Sequence, residues 1–261
     1  MAYEADFVNY SVEGHVATIA MNRPERLNAY GSQMREDMTG AWAEAVGDDN
    51  VRVIILTGEG RIFCAGRDIR EQAERGSTLP PPASAAAASL NYFGVPDTDK
   101  PIIAAVRGGA WGQGWFMACG SDIVISADDA RFAMSEIPTG IIGPAFIPLK
   151  MNIPWLVGSE IVLRGHQISA QEAYDAGLLN HVVPSDQVMT LARDIAQEIA
   201  ALPPRHVQVT KRQLAMARPE PSYYQSEVAF ARGRDELMAL DDTREAAQAF
   251  AEKRTPVFHG R

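Results

Sequence analysis

Residues 100–143, KPIIAAVRGGAWGQGWFMACGSDIVISADDARFAMSEIPTGIIG, restrict the fold of this chain more than any other stretch. A short β-branched and alanine-rich run at 102–106 reads as a buried strand. The glycines 108, 109, 112 and 114 follow, and an apolar run at 115–119 reads as a helix. A second strand is predicted at 123–126. Residues 132–137 then form an apolar piece in which Glu136 is the one carboxylate. Strand, glycine turn and helix in that order predict an α/β chain. A turn of this kind can also present backbone N–H groups to an anion, beside a carboxylate able to move protons.

The rest of the chain fits around that stretch. Residues 7–21 read as two strands turning at Glu13-Gly14, with alternation in Val16, Thr18 and Ala20. NRPERLNAY at 22–30 is a loop into a helix over 31–47, whose apolar face is predicted from Met34, Met38, Trp42 and Val46. The run 51–57 is a strong buried strand. Residues 63–71 turn at Gly66 and start a helix with Asp68 in its first turn. The proline-rich and alanine-rich segment 77–89 reads as a surface loop of the kind that doubles as a lid. Further helices are expected at 152–164, 169–176, 185–201, 205–217, 222–240 and 242–253, with a short extended segment at 178–183. The helix at 169–176 carries a specific start signal: Ser169 with Glu172 three residues on makes a capping box.

Composition excludes several classes. A chain of 261 residues with a net charge of −9 does not suit nucleic acid or an anionic membrane as main partner. Cys64 and Cys119 lie in apolar surroundings far apart, which suits buried thiols in a reducing compartment. Residues 1–10 show no signal-peptide pattern, and the longest apolar window, 141–157, is broken by three prolines and a lysine. A cytoplasmic location is the expectation. GGAWGQGW does not complete a dinucleotide fingerprint, because Met117 stands where the third glycine belongs. The five histidines form no close pair, so no metal site is expected.

Two glycine turns, at 65–68 and 112–114, each follow a buried strand and precede a helix. If those strands lie side by side, two backbone N–H groups can converge on one oxygen, with Glu136 as acid or base beside it. The spacing alone equally allows glycines that serve close packing and a Glu136 on the surface.

The segments NRPERLNAY, VIILTGEGRIFCAGRDI, KPIIAAVRGGAWGQG, DARFAMSEIPTGI, GLLNHVVP and FAEKRTPVF stand in an order and spacing that resemble the crotonase superfamily, which includes enoyl-CoA hydratases and isomerases. The resemblance runs from residue 7 to the C-terminus. It implies an α/β fold, a crotonase-like spiral of ββα units with a C-terminal all-helical trimerisation region. Residues 1–200 would form the spiral core and 201–261 the helical region for oligomerisation and active-site cover. It implies an acyl-CoA thioester substrate, coenzyme A arriving as part of that substrate with no tightly bound cofactor, and a homotrimer or dimer of trimers.

Carried over by position, the resemblance makes the backbone N–H groups of Arg67 and Gln113 the oxyanion hole and Glu136 the catalytic acid/base. Gln113 replaces the middle glycine of a Gly-Gly-Gly run, so a non-glycine is expected to accept that backbone angle. The second glutamate of the hydratases would stand at Phe116. Without it, hydration of straight-chain enoyl-CoA is expected to be slow. The glutamate at 136 alone is shared with Δ3,Δ2-enoyl-CoA isomerases and hydroxycinnamoyl-CoA hydratase-lyases, the latter in a similar Ser-Glu-Ile context. Pro144 stands where some dehalogenases and dienoyl isomerases carry an aspartate. Trp111, Trp115, Phe116 and Phe146 are candidates for the acyl pocket. Arg23, Arg26, Leu27, Ala65, Asp68, Ile69 and Lys253, with Arg254, are candidates for binding coenzyme A. The expected activity is hydration, or hydration with retro-aldol cleavage, of an enoyl-CoA. Double-bond isomerisation and a catalytically silent acyl-CoA binder are the alternatives.

Overall fold

The structure, a computed structural model, describes residues 5–75, 90, 91, 93–141, 153–217, 240–257 and 259. The 77–89 loop, residues 222–239 of the expected 222–240 helix, Pro144 and Phe146 therefore lie outside the described residues.

Strands β1 (Val8–Glu13) and β2 (Val16–Met21) form the expected hairpin, antiparallel and closed by Gly14 at φ 58°. β2 is buried on both faces rather than alternating, because β3 (Val53–Gly58) pairs parallel on its far side and helix α1 (Ser32–Gly47) packs across it. On α1, Met34, Met38 and Trp42 are buried but Val46 is exposed. A spacing of four advances 40° per step on a helix of 3.6 residues per turn. By the fourth residue the stripe has rotated off the core, and Ala45 fills its place.

Helix α2 (Ile69–Arg75) follows the Gly66 turn. β4 (Ile102–Val106) is the predicted buried strand, every residue inward or covered. Between it and helix α3 (Gln113–Gly120) lies a strand the sequence reading missed, β5 (Gly109–Trp111). A three-residue strand containing glycine has no alternation to read. It exists because its partner is distant: β5 pairs parallel with β7 (Arg131–Ala133), after β6 (Ile123–Ala127). Helix α4 (Trp155–Arg164) leads to β8 (Ile168–Ser169), antiparallel to β7. Helix α5 (Ala170–Asp175) carries the predicted capping box at Ser169 and Glu172. β9 (His181–Val183) and helices α6 (Val188–Ala200), α7 (Pro204–Ala217) and α8 (Asp241–Glu252) complete the described chain.

Six strands thus make one sheet in the order β1-β2-β3-β4-β6-β9, parallel after the first pair, and β5-β7-β8 make a second. Val188, Ala192, Ala196 and Ala200 form the buried stripe by which α6 crosses β3, β4 and β6. Small side chains there let the helix sit close to a sheet made of β-branched residues.

One buried polar side chain ties the early loop to this sheet. Asn28 is fully buried, with its Nδ2 donating toward the carbonyls of Glu59 (2.9 Å), Ile62 (3.0 Å) and Phe63 (3.1 Å). Its Oδ1 accepts from Arg23 N–H at 2.8 Å. Leu27 and Asn28 both adopt left-handed backbone, φ 55° and 53°, which asparagine tolerates better than most residues. Asn28→Ala would strip one N–H and several carbonyls of their partner in a dry interior. A loss of about 3 kcal/mol or more in unfolding free energy is expected, read as a lower midpoint in urea. A midpoint unchanged from wild type would show that water replaces the amide.

Candidate active site

The two glycine turns do meet. β3 and β4 are parallel neighbours, with Ile54, Ile55 and Leu56 beside Ile102, Ile103 and Ala104, so the chain leaves both strands at one end of the sheet. Past β3 the chain stays alongside the second turn: Cys64 bridges Ala110, and Trp111 N–H donates to Cys64 O at 3.0 Å. A Cβ at Gly66 would fall 2.7 Å from Trp111 O and 3.5 Å from Gln113 N. Gly66, at φ 86°, is glycine because the second turn occupies its side-chain space.

Gln113 is the first residue of α3, where N–H groups have no acceptor within their own helix. The expectation that a non-glycine must accept an unusual angle at 113 is not met. Gly112 takes the positive φ, with φ 47° and ψ −118°, and Gln113 begins the helix normally. Its side chain donates from Nε2 to Phe93 O at 3.1 Å, away from the turn. Arg67 is held by a parallel bridge to Tyr30, with Tyr30 N–H donating to Gly66 O at 2.7 Å and Asp68 N–H to Tyr30 O at 3.3 Å. The Cys64 thiol steadies the same turn, donating to Asn28 O at 3.1 Å and accepting Gly66 N–H at 3.4 Å. Burial pushes this thiol up to about 12, so it stays protonated and structural.

Glu136 closes the site. The chain leaves β7 at Ala133 and enters a short 3-10 turn, Ile137–Thr139, with Glu136 immediately before it. The apolar piece 132–137 is therefore strand only as far as Ala133, and Pro138 lies in the 3-10 turn that follows. Gly112 N–H donates to Ala133 O at 2.9 Å, which sets the Glu136 carboxyl over the Gly112 turn. A Cβ at Gly112 would lie 2.9 Å from Glu136 Oε1. Oε2 is buried and has no hydrogen-bond partner among the described residues. Burial pushes the carboxyl up to about 7, partly opposed by its own backbone N–H and by the Arg67 guanidinium. A carboxyl poised there exchanges protons readily in either direction near neutral pH. Helix α8 packs over this turn and over α2; a Cβ at Gly140 would touch Ala246 Cβ at 2.6 Å.

The other predicted site residues divide. Phe116 is buried one helical turn beyond Gln113, so an apolar ring occupies that position. Trp111 is half-buried, its ring folded against Gly109 and its Nε1 without a partner among the described residues. Trp115 does not line a pocket: it is fully buried in the core, 5.5 Å from the Phe132 ring. Its position two residues past Gln113 turns it to the opposite face of α3. Arg23 is not left for a phosphate. It pairs with Asp68 at 2.8 Å and lies 4.9 Å from the Phe7 ring, clamping the early loop to the Gly66 turn. Asp68 is committed by that pair and by accepting Glu71 N–H at 3.2 Å. Ala65 N–H is taken by Leu27 O at 2.9 Å. Arg254 is bound to Glu245 and Glu252. Arg26 and Lys253 are exposed, and Leu27 and Ile69 half-buried beside the turn. Sequence reasoning missed Gly112 as the pivot and Asn28 and Cys64 as supports. The signal for Asn28 was present in a polar residue set inside an otherwise local turn.

Among the described residues no group of three or more His, Cys, Asp and Glu is placed to hold a metal ion, and no helix is long and apolar enough to cross a membrane.

Residues 11–261 match the model of the enoyl-CoA hydratase/isomerase family. The chain belongs to that family, within the crotonase superfamily. It is 34% identical to the (E)-benzylidenesuccinyl-CoA hydratase of Thauera aromatica, over 97% of this chain and 99% of that protein. It is 32% identical to the 1,2-epoxyphenylacetyl-CoA isomerase of Escherichia coli, over 98% and 99%. The crystal structure of carnitinyl-CoA hydratase from Mycobacterium avium superposes with a TM-score of 0.85 at 32% identity, covering 98% of this chain and 99% of that one. The predicted mixed α/β fold, mostly parallel sheet followed by C-terminal helices, is that of these structures. The chain is an enzyme of the hydratase/isomerase type on CoA thioesters.

Proposed function

We propose that the enzyme acts on an enoyl-CoA thioester by hydration, of the simple or hydratase-lyase type, with Glu136 as the single acid/base. The observation that carries this reading is the Glu136 carboxyl set over the Gly112 turn, where the turns bearing Arg67 and Gln113 meet. The thioester oxygen would lie between the Arg67 and Gln113 N–H groups. Ionised Glu136 takes a proton from water, the hydroxyl adds to Cβ, and the alkene electrons move onto the thioester as an enolate. The proton held by Glu136 then passes to Cα. The sum is one water added across the double bond, with the enolate charge held by preorganised dipoles.

Phe116 supports a second reading. With an apolar ring at that position water lacks a second carboxylate, and a Δ3,Δ2-isomerase needs none: Glu136 moves one proton between Cα and Cγ. Coenzyme A would be the only nucleotide required, no other cofactor being tightly bound. Its phosphates would be met by exposed Arg26 and Lys253, and its adenine by the backbone near Leu27, Ala65 and Ile69. Exposed Trp155, Leu156 and Leu163 on α4 and Leu214 on α7 support assembly as a homotrimer or dimer of trimers. The buried thiols of Cys64 and Cys119 suit the cytoplasm.

The test is a panel of 2-enoyl- and 3-enoyl-CoAs with straight, branched and aromatic acyl groups, followed by enoyl-thioester absorbance. Loss of absorbance from a 2-enoyl ester is the expected result; a gain from 3-enoyl esters alone would establish isomerisation instead. Tight binding with no turnover anywhere would establish the silent binder. Because the base must be ionised and burial holds it near 7, kcat/KM should rise with pH and level off above about 7. A profile flat from pH 5 to 9 would remove Glu136 from the mechanism.

A further inference from the structure

We propose that Ser135 does the work of the carboxylate that Phe116 replaces, its hydroxyl oxygen holding the attacking water that Glu136 deprotonates. The inference rests on the hydration reading above and deepens it. Successive side chains of a strand point to opposite faces. At Ser135 and Glu136 the strand has ended: β7 stops at Ala133, and Glu136 has helical backbone, φ −64° and ψ −52°. Two neighbours in sequence therefore reach one point. Ser135 Oγ lies 3.6 Å, and Glu136 Oε1 2.9 Å, from the place a Cβ on Gly112 would occupy. Thr139 fixes the backbone of the pair, its Oγ1 lying 2.9 Å from the carbonyl oxygens of both Ser135 and Glu136. Ile141 N–H also donates to Glu136 O, at 2.8 Å.

An attacking water gives one proton to the base and turns one lone pair on carbon. Its other proton needs an acceptor, or the molecule is free to rotate out of line. Among the described side chains at this turn, few can accept. Phe116 is apolar, and Arg67 and Trp111 can only donate. The Gln113 side chain is turned to Phe93 O at 3.1 Å. Ser135, half-buried beside the carboxyl, brings a hydroxyl oxygen with two lone pairs.

Ionised Glu136 accepts one water proton as that O–H bond breaks. The water oxygen bonds to Cβ, and the alkene electrons move onto the thioester. The second O–H bond stays whole and donates to Ser135 Oγ. The proton on Glu136 then passes to Cα, and no bond to the serine forms. A neutral hydroxyl holds water more loosely than a carboxylate, so hydration persists at a reduced rate.

The experiment follows two reactions of wild type, S135A and S135T. One is hydration of crotonyl-CoA and cinnamoyl-CoA. The other is deuterium uptake at Cα of butyryl-CoA in heavy water, which uses the thioester site and Glu136 but no attacking water. S135A should slow hydration about tenfold or more in kcat, with KM and deuterium uptake within about twofold of wild type. S135T keeps a hydroxyl and should hydrate within about threefold of wild type. Equal loss of hydration and uptake in S135A would mean that Ser135 supports Glu136 itself, and overturns the proposal. So would full hydration by S135A, or a loss in S135T as deep as in S135A. In each of these cases the hydration reading stands. If wild type hydrates neither ester, that reading falls and this inference falls with it.

Discussion

Glu136→Gln should cut turnover on the productive enoyl-CoA by about 10²–10⁴, the usual worth of a positioned acid/base, while making the protein harder to unfold at pH 8. The two effects share one cause. Burial raises the Glu136 carboxyl from about 4.5 to about 7, so the folded protein holds a proton that the unfolded chain releases. Stability from that proton is complete below about 4.5 and is lost as the pH rises through about 7. Above 7 the wild type keeps a buried charge whose Oε2 has no partner among the described residues, at a cost of about 3 kcal/mol. Glutamine is neutral at every pH and escapes that cost. Thermal melts at pH 5 and pH 8 should show a gap in Tm at the higher pH that closes at the lower. Full turnover in a folded Glu136→Gln protein would remove this residue as the base. A Tm gap of the same size at both pH values would mean the amide repacks the site.

The second large effect is expected at Gly112. A Cβ there faces two obstacles: φ 47° with ψ −118°, which side chains rarely adopt, and Glu136 Oε1 at 2.9 Å. Gly112→Ala must rotate the peptide that carries the Gln113 N–H, displace the carboxyl, or both. Loss of one aligned donor costs about 3–4 kcal/mol of transition-state stabilisation, or 10²–10³ in kcat. Far-ultraviolet circular dichroism should change little, since α3 starts at Gln113 and its packing lies further along. Activity within fivefold of wild type would show that Gln113 N–H is not the donor. Gly114→Ala is a useful contrast: its Cβ would meet Cys64 O at 2.5 Å, deeper in the scaffold, so stability should fall with activity.

Local pattern makes much of this legible in the sequence. The runs at 51–57 and 102–106, the hairpin at Glu13-Gly14 and the capping box at Ser169 depend on residues close in sequence, and each was found where expected. Glu136 and the two glycine turns were visible as chemistry, and the meeting of the turns was a conditional expectation that the parallel pairing of β3 and β4 fulfils. What escaped was long-range. β5 is a strand only because β7 lies beside it, and Trp115 is a core residue only because Phe132 meets it. Arg23 looked free for a phosphate because its partner, Asp68, is 45 residues away. The strained backbone was assigned to Gln113 when Gly112 absorbs it, a one-residue distinction set by where α3 begins.

The parallel course of β3 and β4 has a consequence for how this enzyme matures. Residues 67, 113 and 136 reach one point only after three separate passes of the chain are stacked, and no hairpin or local helix brings any two of them together. On the proposed mechanism, partial structures hold no fraction of the catalyst, and the newly made chain is chemically silent until the last pass is in place. Activity becomes an all-or-none reporter of the finished topology, as sensitive to a slip in a distant crossover as to damage at the carboxyl itself.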